Sequence, residues 1–254
     1  MYSFKSRVRY SEINRDGLLD IPAVLNYFQD CSTFQSERLG VGVDYLKKEK
    51  KAWVLSSWQI EFLQDICMLE DIEIGTWSYG IKGIYGYRNF VLNKADGSRA
   101  VNANTIWVFT DTVTGAPIKA QKEDIDIYGT EPKIEMTDYG RKITPEGEGA
   151  AQAEFSVRKY HIDTNGHVNN VKYVQFAMEY LDESRRVKAL RAEYKKSARY
   201  GDIIYPVVYK EENALTVSLN VMEASAADTE TGSAAGNAKG TVTVPVYARV
   251  QFIY

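Results

Sequence analysis

The second half of this chain rewrites the first, and that internal repeat constrains the fold more than any other feature. Setting Ile13 against Ile162, 149 residues later, also aligns Arg9 with Arg158, Gly17 with Gly166, Leu19 with Val168, Leu25 with Val174 and Tyr27 with Phe176. Asp20 falls on Asn169, and both residue types accept a hydrogen bond from the first turn of a helix. At a displacement of 132, Gln59-Ile60-Glu61-Phe62 lies against Arg191-Ala192-Glu193-Tyr194, and Glu70 against Asp202. The shorter displacement means a shorter loop between helix and strand in the second copy. Two copies of one plan predict two structural units, a choice that a length of 254 residues leaves open.

The first unit opens with a strand pattern from Phe4 to Tyr10 and a turn containing glycine. A helix follows, with Asp20 as its cap, Pro22 at an early helical position and Gly40 as its stop. Ile21, Val24, Leu25, Phe28 and Cys31 recur at helical spacing, and Tyr27 and Phe34 widen that face beyond a surface stripe. A helix this apolar is expected to be wrapped by a sheet. The runs Trp53 to Phe62, Ile72 to Tyr79, Tyr87 to Asn93 and Asn102 to Thr110 are rich in strand formers, and Asp96-Gly97 is a hairpin turn. Helix first and meander second is an α+β order, unlike the alternation that builds parallel sheets.

Residues Gln121 to Gly149 are charged and carry Pro132 and Pro145, as a connector crossing a surface would. The expected division is therefore residues 1–120, a connector at 121–150, and a second unit at 151–254. Residues Ser184 to Lys196 have helix-forming composition, but the repeat sets Val187 to Ala198 against a strand of the first half, so a strand is expected. Ala224 to Gly240 is small and polar and is expected to be a mobile loop.

An apolar fraction of 44% and a charged fraction of 26% suit a globular protein with a real core. A net charge of -3 gives no global reason to expect nucleic-acid or anionic-membrane binding. Cys31 and Cys67 both sit in apolar sequence and read as core thiols of a reducing compartment. The stretch MYSFKSRVRYSEI has no signal-peptide core, and no apolar run approaches the roughly 20 residues of a membrane span, so a cytoplasmic location is expected.

Both histidines lie in one heptapeptide, His161-Ile162-Asp163-Thr164-Asn165-Gly166-His167, just before the second helix. Asp163, Asn165 and His167 offer a general base, a positioning amide and a polarising donor beside the N–H groups of a helix start. The plainer reading is a turn made by Asp163 and Asn165 with a satisfied His167. The repeat separates the two: the first half has Asn14, Asp16 and Leu18 at these positions, so only the second copy has the full set. A basic run, Arg185, Arg186, Lys188, Arg191, Lys195, Lys196 and Arg199, is either a docking surface for an acidic carrier protein or a solvated strand face. There is no CxxC, HExxH, GxSxG or phosphate-binding glycine loop, and no cofactor or metal is expected.

DTNGHVNNVKY (Asp163 to Tyr173), AEYKKSARYGD (Ala192 to Asp202) and RYSEINRDGLLDIPAVLNYFQD (Arg9 to Asp30) together resemble the acyl-acyl carrier protein thioesterases of bacteria and plants. That resemblance implies a double hot-dog fold, two tandem modules each with an antiparallel sheet wrapped around a long central helix. It implies hydrolysis of a fatty acyl thioester carried by acyl carrier protein, with Asp163 and His167 activating water and Asn165 positioning water or the carbonyl. Plant members have Glu-Cys after their EYRR string, whereas EYKK here precedes Ser197-Ala198, which favours activated water over a cysteine nucleophile. An acyl-CoA thioesterase, a non-catalytic acyl-binding hot-dog protein and, more weakly, a dehydratase or hydratase are the alternatives. Either a monomer or a homodimer suits a double module.

Overall fold

The computed structural model describes residues 1–182, 184–221 and 245–254; the segment Ala224 to Gly240, read above as a loop, lies outside them. The first half comprises β1 (Tyr2–Arg7), α1 (Ile21–Arg38), α2 (Val43–Lys48), β2 (Lys51–Phe62), β3 (Asp71–Lys82), β4 (Tyr85–Lys94) and β5 (Arg99–Asp111). A short α3 (Lys122–Asp126) lies in the connector. The second half comprises β6 (Ala150–Ala151), β7 (Phe155–Ser156), α4 (Asn170–Met178), β8 (Ala189–Tyr194), β9 (Ile203–Lys210), β10 (Ala214–Val221) and β11 (Val246–Ile253).

Local chemistry starts and stops these elements as expected. The Asp20 side chain accepts the Ala23 N–H at 2.7 Å, and the chain leaves α1 through Gly40 at φ 75°. Asp96 accepts the Ser98 N–H at 2.8 Å beside Gly97, which turns the chain from β4 into β5. The segment of helix-forming composition contains strand β8, because pairing on both sides outweighs intrinsic propensity.

All described strands join one antiparallel sheet in the order β1-β3-β4-β5-β2-β8-β11-β10-β9-β6, with β7 also on β9. The halves meet where β2 pairs with β8: Trp58 opposite Ala192, Gln59 opposite Arg191, and Ile60 opposite Leu190. Gln59 and Arg191 are repeat equivalents, so an approximate twofold axis passes through that pair. The sheet's inner face carries Trp58, Ile60, Phe90, Leu190 and Ala192 into one core with Phe28 of α1 and Val174 of α4. Phe28 lies 5.2 Å from Phe90 between ring centroids. This is the double hot-dog arrangement.

The copies differ in two places. α4 has 9 residues against 18 in α1, and the counterpart of β1 is broken into β6 and β7. Phe34 packs at the margin of the core, its ring 5.3 Å from Phe4. Cys67 does not belong to the core: it is exposed in the loop between β2 and β3 with Met68 and Leu69, because a turn that closes on Glu70 leaves no layer above it.

The connector crosses the outer face of the sheet, and polar side chains of the strands hold its backbone. Trp77 donates to the Pro132 carbonyl at 2.8 Å, Asn89 accepts from Ile134 at 3.1 Å and Glu61 accepts from Thr137 at 3.0 Å. Past the axis, Arg191 donates to the carbonyls of Tyr139, Gly140 and Lys142 at 2.8, 3.1 and 2.9 Å, and Glu193 accepts from Ile143 at 3.2 Å. The basic run is therefore not one docking face. Arg191 binds the connector, Arg186 pairs with Asp65 at 2.9 Å and Lys195 with Glu193 at 3.2 Å. Strand alternation and the chain's exit from β8 send neighbouring cations in different directions.

Candidate functional site

Ile162 and Val168 form an antiparallel bridge, as do Ile13 and Leu19 in the first half, and each bridge closes a tight loop. Within the second loop the Asp163 N–H donates to the His167 carbonyl at 2.8 Å. One carboxylate oxygen of Asp163, Oδ1, accepts the N–H groups of Asn165 and His167 at 2.8 and 3.2 Å. Gly166 sits at φ 77°, a left-handed conformation that a side chain would strain. The first loop repeats this with an amide: Asn14 Oδ1 accepts from Asp16 and Leu18 at 3.0 and 3.1 Å, and Gly17 is at φ 78°. The turn role of Asp163 is real, and a neutral side chain performs it equally well.

The loop brings Asp163, Asn165 and His167 onto one turn at the start of α4. Asp163 and His167 are half-buried and Asn165 is exposed at the tip. Among the described residues no hydrogen bond joins their side chains, and Asp163 Oδ2 has no partner. Catalytic hydrogen bonds commonly close only around a bound substrate. Asn169 accepts the Val171 N–H at 2.9 Å as the cap of α4, leaving the positive end of that helix beside the turn.

A second segment supports the turn from behind. The Val168 N–H donates to the Ala198 carbonyl at 2.9 Å, and the Ala198 N–H donates to the Tyr173 hydroxyl at 2.8 Å. Burial pushes the Tyr173 phenol up to about 12, so it stays protonated. Ala198 is fully buried and Ser197 exposed.

His161 is a structural residue. Its Nδ1 accepts the Arg158 N–H at 2.9 Å, the task that Glu12 performs for Arg9 at 2.8 Å in the first half. The ring is 5% exposed and packs edge-on against Phe176 at 4.8 Å. Burial, then Lys172 and Arg158, lowers its pKa below 6.5. A histidine with a depressed folded pKa stabilises the fold fully above the unfolded value and loses that contribution as pH falls beneath it. Thermal melts from about pH 7.5 down to about pH 5 should therefore show the parent losing more stability than His161→Gln. Parallel losses in the two proteins would discard this account.

Two clefts of about 170 Å³ each flank the contact between α1 and α4. Asp163, Asn169, Lys172 and His161 line one; Glu12, Asp20, Asp30 and Arg9 line the other. Asn26 of α1 and Gln175 of α4 line both. These two are repeat equivalents at a displacement of 149, a signal present in the alignment but unremarkable until the helices are seen to meet there. Asn165 and His167 line neither cleft. Among the described residues no group of three or more His, Cys, Asp or Glu side chains is placed to hold a metal ion.

A family model described as the acyl-ACP thioesterase N-terminal domain matches residues 1–128, and one for the C-terminal domain matches residues 146–237. Oleoyl-acyl carrier protein thioesterase 2, chloroplastic, of Arabidopsis thaliana is 24% identical over 226 residues, 80% of this chain and 62% of that protein. Palmitoyl-acyl carrier protein thioesterase, chloroplastic, of the same plant is 24% identical over 207 residues, 74% of this chain and 50% of that protein. The chain thus spans between half and two thirds of the length of these relatives. Among solved structures, an acyl-ACP thioesterase from Bacteroides thetaiotaomicron superposes with a TM-score of 0.82 at 20% identity, covering 99% of this chain and 96% of that one. The 12:0-ACP thioesterase from Umbellularia californica gives 0.79 at 15%, with the same coverages. At such identities the structural likeness establishes a shared fold.

Proposed function

The chain belongs to the acyl-ACP thioesterase family, and from that premise we propose that it hydrolyses the thioester of a fatty acyl group on acyl carrier protein. The matched relatives are named for oleoyl, palmitoyl and 12:0 chains, so chains of that range are the substrates to try. On this reading residues 1–120 and 151–254 are the two modules, and the second carries the chemistry.

Water attacks the carbonyl carbon, and its proton passes to the Asp163–His167 pair. Asn165 holds the water or the carbonyl oxygen in line, and the positive end of α4 offsets the charge that develops on that oxygen. Collapse of the intermediate breaks the carbon–sulfur bond, and the departing thiolate takes a proton back, leaving free acid and carrier thiol. The observation that carries the assignment is the comparison of the two loops. Asn14 closes the same turn without charge, so the carboxylate of Asp163 and the imidazole of His167 are surplus to folding. Ala198, where plant members carry cysteine, presents only a methyl group, which supports water as the nucleophile.

The carrier would approach Lys196 and Arg199, exposed cations that flank Ala198, rather than Arg191. Two free thiols, Cys67 exposed among them, fit the reducing cytoplasm this reading supposes, and no helix among the described residues is long and apolar enough to cross a membrane.

The test is release of free thiol from acyl carrier protein and coenzyme A thioesters of graded length, with His167→Leu beside the parent. Leucine is what the first half carries there, so the variant should melt with the parent while kcat falls about 100-fold, the low end for losing a general base or donor. Carrier thioesters should be preferred. No cleavage of any thioester above background would sink the proposal, and cleavage of coenzyme A esters alone would replace the carrier with coenzyme A.

A further inference from the structure

One turn is built identically in the two halves but carries opposite side chains. Residues 67–70 correspond to residues 199–202 at the displacement of 132. The Leu69 N–H donates to the Val8 carbonyl at 3.0 Å and the Val8 N–H to the Glu70 carbonyl at 3.0 Å. Gly201 donates to Val157 at 3.1 Å and Val157 to Asp202 at 2.8 Å in the same way. The Glu70 side chain accepts the Cys67 N–H at 2.8 Å, as that of Asp202 accepts the Arg199 N–H at 2.9 Å. Where the second half has Arg199, Tyr200 and Gly201, the first has Cys67, Met68 and Leu69.

Gly201 sits at φ 89°, in the left-handed region where glycine is unstrained. Leu69 occupies that region at φ 69°. A leucine there opposes a backbone preference, and burial offsets little of the cost because the residue is 64% exposed. Met68 and, earlier in the same loop, Leu63 are exposed as well. Strain kept to hold out an apolar side chain, at a position where the other half uses glycine, points to a partner outside the chain.

Two features identify that partner as lipid. The four N–H groups of the turn are all taken: Cys67 by the Glu70 side chain, Met68 by the Gly17 carbonyl at 3.1 Å, Leu69 by Val8 and Glu70 by the Cys67 carbonyl at 3.3 Å. Hydrocarbon accepts no hydrogen bond, so backbone donors entering it must be satisfied from within. The carboxylates of the loop are also paired, Asp65 with Arg186 at 2.9 Å, Glu70 with Lys94 at 3.2 Å and Asp71 with Arg7 at 2.7 Å. On the neighbouring loop Arg15 and Asp16 offset one another in formal charge. A tip that is electrically balanced in this way suits a zwitterionic surface and gains nothing from an anionic one.

We infer that the turn at 67–70 inserts Met68 and Leu69 into the surface of a zwitterionic phospholipid bilayer, with Leu63 at the margin, as a peripheral membrane contact of the first half. The inference stands apart from the hydrolase reading and survives without it. Taken with that reading, it sets release of a free fatty acid beside the phase into which such an acid partitions.

The test is co-sedimentation with sucrose-loaded phosphatidylcholine vesicles, for the parent and for Leu69→Gly. Glycine is what the second half carries at this position, so the variant should melt at or above the parent and match its thiol release in lipid-free solution. The parent should partition with a constant on the order of 10³ M⁻¹, below that of a single myristoyl chain, and bind almost equally at low and high salt. Leu69→Gly should bind about tenfold more weakly. Vesicles should also slow modification of the parent's exposed Cys67 by a water-soluble maleimide, while Cys31 stays buried. A parent that remains in the supernatant, or a Leu69→Gly variant that sediments as the parent does, overturns the inference. Binding that high salt abolishes would overturn it too, by placing the contact on exposed cations. So would a lipid-free dimer of the parent that Leu69→Gly breaks, which would assign the tip to a second copy of the chain.

Discussion

Asp163→Asn should fold as well as the parent and lose about 1,000-fold in kcat/KM on its best acyl thioester, within the range for removal of a general base. The protein itself vouches for the folding half of this statement. Asn14 already closes the equivalent loop through two N–H bonds at 3.0 and 3.1 Å, so an asparagine at 163 can take over the bonds that Asp163 makes at 2.8 and 3.2 Å. What it removes is the negative charge and the second oxygen, the parts to which the proposed mechanism assigns the proton of water. Asp163→Ala is a poorer experiment, because it deletes the turn bonds as well and mixes about 1 kcal/mol of lost hydrogen bonding with the loss of chemistry. The measurement is steady-state thiol release with thermal melts alongside. An asparagine variant that keeps more than about a tenth of the parent's rate would show that Asp163 serves only the turn.

Arg191→Met should destabilise the protein by about 3 kcal/mol. The guanidinium donates to three connector carbonyls and, at 2.7 Å, to Gln251 on β11, so it ties the connector to the sheet where the two halves meet. Methionine keeps the stem's packing but removes those donors, leaving the Gly140 carbonyl with its bond from Gln59 at 2.7 Å. Charged donors of this kind contribute about 1.5–3 kcal/mol each, and partial rehydration of the carbonyls returns some of that. Denaturant unfolding should show a lower midpoint with an unchanged slope, and limited proteolysis should open residues 121–149 first. A shift under about 1 kcal/mol would mean that the connector is held by its other anchors, Trp77 and Asn89 among them.

The two predictions read the same strand and loop in opposite ways, and the sequence was informative about only one of them. Asp163, Asn165 and His167 stood out because they differ from Asn14, Asp16 and Leu18 inside an otherwise shared frame. Arg191 stood out as well, but as one of seven basic residues near a carrier surface; its alternation on β8 turns it toward the connector instead. Cys67 was misread for a related reason. Apolar neighbours in sequence do not fix burial within a turn: Ile66 of the loop between β2 and β3 reaches the core, whereas the turn from Cys67 to Glu70 leaves Cys67, Met68 and Leu69 exposed.

The repeat determined, without any structure, that two helix-and-meander units exist and where each helix begins. It also showed that one loop carries a carboxylate and an imidazole, Asp163 and His167, where its counterpart has Asn14 and Leu18. These features are local: a cap, a left-handed glycine and an apolar stripe each act within a few residues, so their imprint survives in sequence order. Only the tertiary structure decided what faces what. The axis through Gln59 and Arg191, the connector strapped across five strands, and the clefts that Asn26 and Gln175 both line join residues far apart in the chain. Their energies come from which partners the packing leaves within reach, and no window along the sequence contains both partners.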